Sequence, residues 1–181
     1  PITAGDTAYQ GLTGNFSTAD IKVGETMTVE ELLYCLMLPS ANEAANILAV
    51  AIDGSIEDFV AHMNRRASEL GCRGTHFTNP HGLHDDEHYT TAYDLAITME
   101  ACLEFDLFRT VTRTPKHMVP ATNLAGEREI YNSNGLVSSW RYGGYLYDKC
   151  IGGKTGSTDE AGRCLVAAAE DGDEVLISVI L

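Results

Sequence analysis

The sequence predicts an α+β fold in which helices and an antiparallel sheet form separate layers. Three observations support this. Helix caps followed by apolar residues at helical spacing occupy the first part of the chain, strand patterns joined by turns occupy the second part, and strands do not alternate with helices. We therefore expect one domain over residues 1–181, with a helical lobe over about 24–106 and a sheet lobe over about 108–181.

Local cap patterns predict the helices of the first lobe. Thr28 followed by Glu31 is a capping box, and it opens a helix that ends before residue 39. Ser40 followed by Glu43 repeats the pattern and predicts Ser40 as the cap of a second helix, which ends at residues 53–54. Before these helices, we expect mainly loop with one short strand near residues 20–23.

Two further helices follow in the same lobe. Ser55 is predicted to cap a helix that ends at Gly71, and Thr91 is predicted to cap a helix that continues through residue 103. Between them, residues 75–89 form a loop with a dense cluster of histidine and acidic residues. The helical lobe is therefore expected to contain four helices.

The second lobe shows strand patterns. Residues 110–118 and 127–131 are expected to be strands, residues 132–135 a turn, and residues 163–170 and 174–181 a closing hairpin that turns at 171–172. Ahead of this hairpin, residues 152–158 carry three glycines in five positions around Lys154. Glycine is unfavourable inside an ordinary strand, so this stretch predicts either a close approach of another backbone or ligand, or a glycine-rich loop with a solvated lysine.

Composition excludes some function classes. A chain of 181 residues is long enough for one apolar core. The net charge of −14 argues against binding to nucleic acid or to an anionic membrane surface, because both carry negative charge. The longest apolar run, around residues 32–38, is too short to cross a bilayer.

The ends of the chain and the cysteines add further expectations. Pro1 is not a natural translation start and residues 175–181 stop inside an apolar strand pattern, so we expect a fragment that is incomplete at both ends. The five cysteines contain no Cys-x-x-Cys pair, which favours neither a zinc site nor a redox motif, and no disulfide framework is expected. Cys35, Cys102 and Cys164 lie in apolar segments and are expected to be buried.

Three stretches stand out in combination: residues 38–45 (LPSANEAA), residues 75–83 (THFTNPHGL) followed by 90–94, and residues 153–159 (GKTGSTD). In this order and at these separations they resemble the D-alanyl-D-alanine carboxypeptidases, the low-molecular-mass penicillin-binding proteins, from about Ser17 to the C-terminus. The resemblance implies a β-lactamase/transpeptidase fold with its site between the two lobes. It also implies serine-type acyl transfer on the D-Ala-D-Ala end of peptidoglycan stem peptides, and no cofactor.

The same resemblance implies partners and a location. The partners are stem peptides and β-lactam antibiotics. The location is the cell envelope outside the cytoplasmic membrane, with any membrane attachment through segments not present here.

The Ser-x-Asn motif of the family maps onto Ser40 and Asn42. The resemblance implies that Ser40 relays a proton toward the leaving amine and that Asn42 holds the amide carbonyl of the substrate. Each residue also has a plainer explanation, because Ser40 suits a helix cap and Asn42 suits an exposed first helical turn.

The Lys-Thr-Gly motif maps onto Lys154, Thr155 and Gly156. The resemblance implies that Lys154 supplies positive charge near the substrate carboxylate and tunes Ser40, and that Thr155 hydrogen-bonds that carboxylate. The resemblance also implies that Gly156 leaves room for the peptide along the strand edge and that the backbone amide of Ser157 contributes to the oxyanion hole. The plainer explanations are a strand residue at Thr155 and a solvated Lys154.

The family nucleophile is absent from the sequence as written. The family uses a Ser-x-x-Lys motif, and no serine of this chain has a lysine three residues later. The resemblance places that motif upstream of residues 17–29. We therefore expect the catalytic serine and its lysine to lie outside these residues, and the chain to be inactive on its own.

Three alternatives remain open from the residues. A β-lactamase would need a deacylating carboxylate, for which Glu87 and Glu104 are the loosely placed candidates; a non-catalytic module would only bind wall peptides. A metal domain would use the cluster at residues 81–88, but its spacing fits no standard zinc pattern, so no metal is expected and His81 is predicted to be structural. Among the aromatic residues near the sheet lobe, at least two are expected in the core and the others can line the groove: Trp140, Tyr142, Tyr145 and Tyr147.

Overall fold

The computed structural model describes residues 1–141, 143 and 145–181. Its helices are α1 (Val29–Met37), α2 (Asn42–Asp53), α3 (Ile56–Leu70), α4 (Ala92–Leu103) and α5 (Asp106–Thr112), and a short 3₁₀ helix spans Asp6–Tyr9. Its strands are β1 (Ile2–Thr3), β2 (Thr26–Met27), β3 (Lys116–Val119), β4 (Arg128–Tyr131), β5 (Cys150–Thr158), β6 (Gly162–Asp171) and β7 (Glu174–Ile180). Across these described residues, no helix has the length and apolar character needed to span a bilayer.

The predicted helix boundaries in the first lobe are largely confirmed. Thr28, Ser55 and Thr91 each accept a hydrogen bond from the backbone amide three residues on, as N-cap residues do. Gly54 and Gly71 end α2 and α3 in the left-handed region, with φ of 85° and 91°. Local side chain-to-backbone bonds therefore fix where these helices begin and end.

The second helix begins differently from the prediction. Ser40 has a φ of 64° and does not cap α2; the N-cap is Ala41, which offers no side-chain hydrogen bond. The prediction of Ser40 as a cap is therefore wrong, because the left-handed turn and a distant partner take its hydroxyl instead. The expected strand near residues 20–23 is also wrong, since the short strand lies at Thr26–Met27.

The first strand expected in the sheet lobe begins later than predicted. Residues 110–112 belong to α5, and only Lys116–Val119 of the expected strand over 110–118 forms β3. Thr112 fits in the helix because its hydroxyl bonds back to the carbonyl of Phe108 at 2.8 Å, and it is fully buried. Helix α5 spans the expected lobe boundary. The division of the chain into a helical lobe and a sheet lobe at 106–108 stays a prediction.

The strands form antiparallel sheets. β1 pairs with β2, β3 pairs with β4, and β5, β6 and β7 form a three-stranded sheet in that order. The closing hairpin is confirmed as β6 and β7. The expectation of a glycine-rich loop is wrong, because residues 152–158 lie in β5, paired with β6 through contacts such as Lys154 with Val166.

Two groups of apolar side chains hold these layers. The larger lies around α1 and α2 and reaches α5, with members that are completely buried: Ile21, Leu32, Cys35, Leu38, Ala41 and Ala44. The smaller joins α4 to the three-stranded sheet through Met99, Leu103, Ile151 and Ala168. The junction of α1 with α2 therefore lies in the larger core, while β5 belongs to the smaller one.

The burial of the cysteines matches the prediction only in part. All five cysteines are free; Cys35 is buried as predicted, whereas Cys102 and Cys164 are only half-buried.

The prediction that at least two of the aromatic residues lie in the core is wrong. The exposed fractions are 60%, 66% and 46% for Trp140, Tyr145 and Tyr147. Tyr142 lies outside the described residues. Trp140 stacks on Tyr131 with ring centroids 5.3 Å apart, so these rings lie on the surface.

Candidate active site

The predicted site residues Ser40 and Lys154 are brought into contact. The ammonium Nζ of Lys154 donates to Ser40 Oγ at 2.9 Å, although the two residues are 114 positions apart in the sequence. The same Nζ donates to the carbonyl of Thr155 at 2.8 Å. A hydroxyl from a helix junction and an amine from an edge strand therefore share one hydrogen bond.

The junction of α1 with α2 positions Ser40. Helix α1 ends at Met37, and its C-cap Leu38 is completely buried. The next residue is Pro39, which is poorly suited to continue a helix. Ser40 then takes the left-handed conformation, and the amide of Ala41 returns to the carbonyl of Cys35 at 3.0 Å. This tight turn leaves the Ser40 hydroxyl available for Lys154.

The first turn of α2 is anchored by buried polar groups. The backbone amide of Asn42 donates to the carbonyl of Ser17 at 2.9 Å. The carboxylate of Glu43, fully buried, accepts from Thr18 Oγ1 and from the amide of Ala19, both at 2.7 Å. These bonds hold residues 17–19 against the start of α2 and so stiffen the segment that carries Ser40.

Asn42 is buried beneath Ser40. With its amide nitrogen facing the neighbouring carbonyls, the side chain donates to the backbone carbonyl of Ser40 at 2.9 Å and to that of Ser17 at 3.3 Å. The side chain is only 6% exposed. Asn42 therefore supports the turn at Ser40, and its contact with a substrate carbonyl stays a prediction.

Two glycines of β5 allow close packing around Lys154. A Cβ at Gly153 would lie 2.5 Å from the carbonyl oxygen of Val166 and 3.1 Å from the Asn134 side chain. At Gly152, where φ is 143°, a Cβ would lie 2.1 Å from Thr112 Oγ1. The glycines are thus explained by the close approach of other parts of the protein, which was one of the two predicted explanations.

The environment of Lys154 changes its acidity. Burial lowers the pKa of Lys154 to about 8, because a charged ammonium loses hydration when protein surrounds it. An amine with such a pKa exists partly in its neutral form near neutral pH. It can therefore both accept and return a proton through the 2.9 Å bond to Ser40.

Thr155, Gly156 and Ser157 follow Lys154 toward the exposed end of β5. Thr155 is half-buried, whereas Gly156 and Ser157 are exposed. Within the described sheet, β5 pairs only with β6, so its other edge is open. An extended peptide can add to such an edge through backbone hydrogen bonds.

The structure adds Ser133, which sequence reasoning missed. Its Oγ lies 2.6 Å from Thr155 Oγ1, and its backbone amide donates to the carbonyl of Leu38 at 3.0 Å. The sequence of residues 132–135 indicated only a turn, and nothing in it signalled a contact with Thr155 22 positions later. Ser133 therefore touches both the helix junction and the lysine-bearing strand.

The histidine-rich loop is held by its own hydrogen bonds. Nδ1 of His81 accepts from the amide of Leu83 at 3.2 Å, and Nδ1 of His88 accepts from the amide of Thr78 at 3.1 Å. Burial lowers the pKa of His81 to about 4. The ring of His81 thus supports the loop, as predicted, and the part of the chain that the structure describes contains no group of three or more side chains suited to a metal ion.

Comparison with known proteins is consistent with this geometry. The family model described as D-alanyl-D-alanine carboxypeptidase, peptidase family S11, matches residues 1–181. The chain is 36% identical over 160 residues to the D-alanyl-D-alanine carboxypeptidase DacF of Bacillus subtilis, covering 88% of this chain and 39% of DacF. It is 37% identical over 163 residues to DacB2 of Mycobacterium tuberculosis, covering 89% of this chain and 53% of DacB2.

The fold agrees with a solved structure. The Streptomyces K15 DD-transpeptidase superposes with a TM-score of 0.88 at 33% identity, covering 99% of this chain and 70% of that one. The predicted transpeptidase-like α+β fold is therefore confirmed. The chain spans about half the length, or less, of the two curated relatives named above. On the strength of the family match and these identities, the chain belongs to the D-alanyl-D-alanine carboxypeptidase family.

Proposed function

We propose that the protein carrying this chain is a serine-type D-Ala-D-Ala carboxypeptidase that acts on peptidoglycan stem peptides through an acyl-enzyme. The observation that carries the proposal is the 2.9 Å bond between Lys154 Nζ and Ser40 Oγ. An amine of lowered pKa bonded to a hydroxyl is suited to moving a proton at a reacting centre. We place this activity outside the cytoplasmic membrane, where stem peptides are found.

The proton movement follows from the contact. During acylation the nucleophilic serine attacks the carbonyl carbon of the penultimate D-Ala, and the peptide bond to the terminal D-Ala breaks. The leaving amine needs one proton, which Ser40 Oγ supplies and then recovers from Lys154 Nζ. The proton that the attacking serine hydroxyl loses restores Lys154, so one proton passes in total from the serine to the leaving amine. Water later cleaves the ester and releases the shortened peptide, so the serine is regenerated.

Substrate orientation is assigned to the open edge of β5. Lys154 and the Thr155 hydroxyl attract the terminal carboxylate, while Gly156 lets the peptide backbone lie close to the strand. The backbone amide of Ser157 stabilises the oxyanion. Asn42 holds the amide carbonyl of the substrate, and for this its side-chain nitrogen exchanges one of its two carbonyl partners, Ser40 or Ser17, for the substrate. β-Lactams mimic the same acyl donor and acylate the same serine.

The nucleophile is assigned to residues outside this chain. No serine among the 181 residues is followed by lysine at the third position. We therefore expect the isolated chain to form no acyl-enzyme with a labelled penicillin. A mapped acylated serine in the isolated chain would contradict this assignment.

The test is release of D-Ala from an acetylated stem peptide by the full-length protein, compared with its Lys154→Met variant. We expect the rate to fall by about 10²–10⁴-fold, the range for removing a general acid–base group. Lys149→Met is the matched control, because Lys149 forms a surface ion pair with Asp171 at 2.6 Å. Equal rates for the wild type and Lys154→Met would overturn the proposal.

The same full-length protein also distinguishes this proposal from two alternatives, a β-lactamase and a non-catalytic peptide-binding module. A β-lactamase would turn over nitrocefin rapidly and need a deacylating carboxylate, but Glu87 and Glu104 are both exposed. Neither is recorded in a hydrogen bond or ion pair with Ser40 or Lys154 among the described residues. A non-catalytic module would bind stem peptide without releasing D-Ala or becoming acylated.

A further inference from the structure

We propose that Ser133 is a positioning residue that fixes the Thr155 hydroxyl as a hydrogen-bond donor toward the terminal carboxylate of the substrate. This inference rests on the proposed function and deepens it. It assigns to Ser133 a part in distinguishing peptides with a free C-terminus from peptides whose C-terminus is blocked. The argument starts from the 2.6 Å contact between Ser133 Oγ and Thr155 Oγ1.

The direction of this hydrogen bond follows from the surroundings of Ser133. The residue is only 7% exposed, so its hydroxyl hydrogen has little access to water. Among the described residues, Thr155 Oγ1 is the one partner recorded for Ser133 Oγ. A buried hydroxyl needs an acceptor, so Ser133 donates and Thr155 accepts.

The consequence for Thr155 is that its own hydrogen stays free. A threonine hydroxyl carries one hydrogen, and a carboxylate can only accept hydrogen bonds. If Thr155 donated to Ser133, it would present lone pairs to the carboxylate and repel it. With Ser133 as donor, the Thr155 hydrogen is available for the substrate, and the two bonds in series strengthen each other.

Ser133 is held rigidly enough for this role. The Asn132 side chain donates to the carbonyls of Thr112 and Thr114 at 2.9 and 3.0 Å, and its oxygen accepts from the amide of Asn134 at 2.9 Å. Asn132 and Asn134 are 2% and 1% exposed. Two buried asparagines on either side therefore fix the backbone at Ser133.

The position of Ser133 also ties the two halves of the site together. Its amide donates to the carbonyl of Leu38, two residues before Ser40, while its hydroxyl reaches β5. Gly153 allows this, because a Cβ there would lie 3.1 Å from the Asn134 side chain. Replacing the Ser133 side chain therefore affects the Thr155 hydroxyl directly, whereas the backbone bond to Leu38 and the Lys154–Ser40 bond are retained.

The test compares two substrates in the full-length protein: an acetylated stem peptide ending in D-Ala-D-Ala, and the same peptide with a C-terminal amide. The measured quantity is the ratio of kcat/KM for the acid to kcat/KM for the amide. We expect Ser133→Ala to lower this ratio about tenfold, the scale of one hydrogen bond to a charged group. Most of the loss should appear for the acid, with the amide little changed.

Two variants control for structural effects. Ser138→Ala removes another buried hydroxyl of the same segment, one that accepts from the amide of Trp140 at 3.3 Å, and it should leave the ratio unchanged. Ser133→Thr keeps the hydroxyl and should restore the ratio. If Ser133→Ala is too unstable to purify, Ser133→Cys keeps the volume with a weaker donor and should lower the ratio in the same direction.

A double variant decides whether Ser133 acts through Thr155. In a Thr155→Val background, Ser133→Ala should change the ratio no further. Independent, multiplying effects of the two substitutions, or an unchanged ratio in Ser133→Ala, would overturn the inference while leaving the carboxypeptidase proposal intact. A wild-type protein that cleaves neither peptide and takes up no penicillin would instead defeat the proposed function, and this inference with it.

Discussion

The two residues that meet at the Ser40–Lys154 bond are held in place by opposite means. Ser40 lies between buried side chains, with Leu38 and Ala41 both fully enclosed and the carboxylate of Glu43 anchoring the following turn. Lys154 lies on a strand whose neighbours lack side chains, at Gly152 and Gly153. The helix junction depends on side chains being present, and the strand depends on side chains being absent.

This difference determines which substitutions each half tolerates. Around Ser40, losing a buried group opens a cavity or leaves a polar atom unpaired. Around Lys154, adding even one methyl group pushes β5 away from its neighbours. The bond between the two residues is therefore sensitive to deletions on one side and to additions on the other.

The largest effect is expected from adding a methyl group at Gly152. Gly152→Ala would place Cβ 2.1 Å from Thr112 Oγ1 and hold alanine at a φ of 143°. Thr112 is fully buried and its hydroxyl is bonded to Phe108, so it cannot move aside easily. We expect a loss of about 3–5 kcal/mol in the free energy of unfolding, from overpacking and backbone strain together.

Gly156→Ala is the matched control on the same strand. There the added Cβ meets only Cys164 Cβ, at an ordinary 3.7 Å. We expect a change of less than about 1 kcal/mol, measured by urea unfolding of both variants. Equal losses at the two positions would show that glycine matters in β5 for a reason other than close packing.

The sequence predicts the parts of this comparison that depend on neighbouring residues. The caps at Thr28, Ser55 and Thr91 follow from bonds spanning three residues, so the pattern alone locates them. Residues 110–112, the last three of helix α5, were predicted as strand, and their β-branched types, valine and threonine, favour strands locally. Burial of Val111 and Thr112 against other elements overrides that preference.

The candidate site also contains features that neighbouring residues predict and features that depend on distant contacts. Ser40 and Lys154 were paired by resemblance to a family and not by any local pattern, since 114 positions separate them. Ser40 was expected to cap a helix because Ser40 and Glu43 match a capping box. Its φ of 64° excludes the extended backbone that an N-cap residue adopts. Ser133 was missed because its only signal is a contact with Thr155, which no local pattern carries.

An intermediate effect is expected from the charge on Lys154. Burial holds its pKa at about 8 in the folded protein, below the ordinary 10.5 of an unfolded chain. Well below pH 8 both the folded and the unfolded state are protonated, and the buried charge costs stability in full. Between about pH 8 and 10.5 only the unfolded state keeps the proton, so the folded state gains stability as the pH rises.

The Lys154→Met variant lacks this pH dependence of stability, so comparing it with the wild type measures the contribution of Lys154. The variant should be more stable than the wild type by about 2 kcal/mol at pH 6–7.5, a value reduced by solvent screening of the half-buried side chain. The difference should then shrink as the pH rises through 8 toward 10.5. Urea unfolding at a series of pH values checks this, and a difference that widens over that interval would contradict a lowered pKa.

The smallest effect is expected at Ser40, where backbone and side chain can be separated. Ser40→Gly and Ser40→Ala both remove the hydroxyl that Lys154 contacts, so they differ only in the backbone. At a φ of 64° glycine is free of strain, whereas alanine is not. We expect Ser40→Gly to be more stable than Ser40→Ala by about 1 kcal/mol, while both lose D-Ala release equally.

The opposite order is expected inside a helix of the same lobe. Ala51 is an exposed residue of α2, where glycine costs about 1 kcal/mol relative to alanine. Thermal unfolding of Ser40→Gly, Ser40→Ala, Ala51→Gly and the wild type measures the stability difference between glycine and alanine at both positions. We expect the two differences to be similar in size and opposite in sign. If glycine is unfavourable at Ser40 as well, the turn relaxes out of the left-handed region, and the junction is held by its side chains more loosely than the strand is held by its glycines.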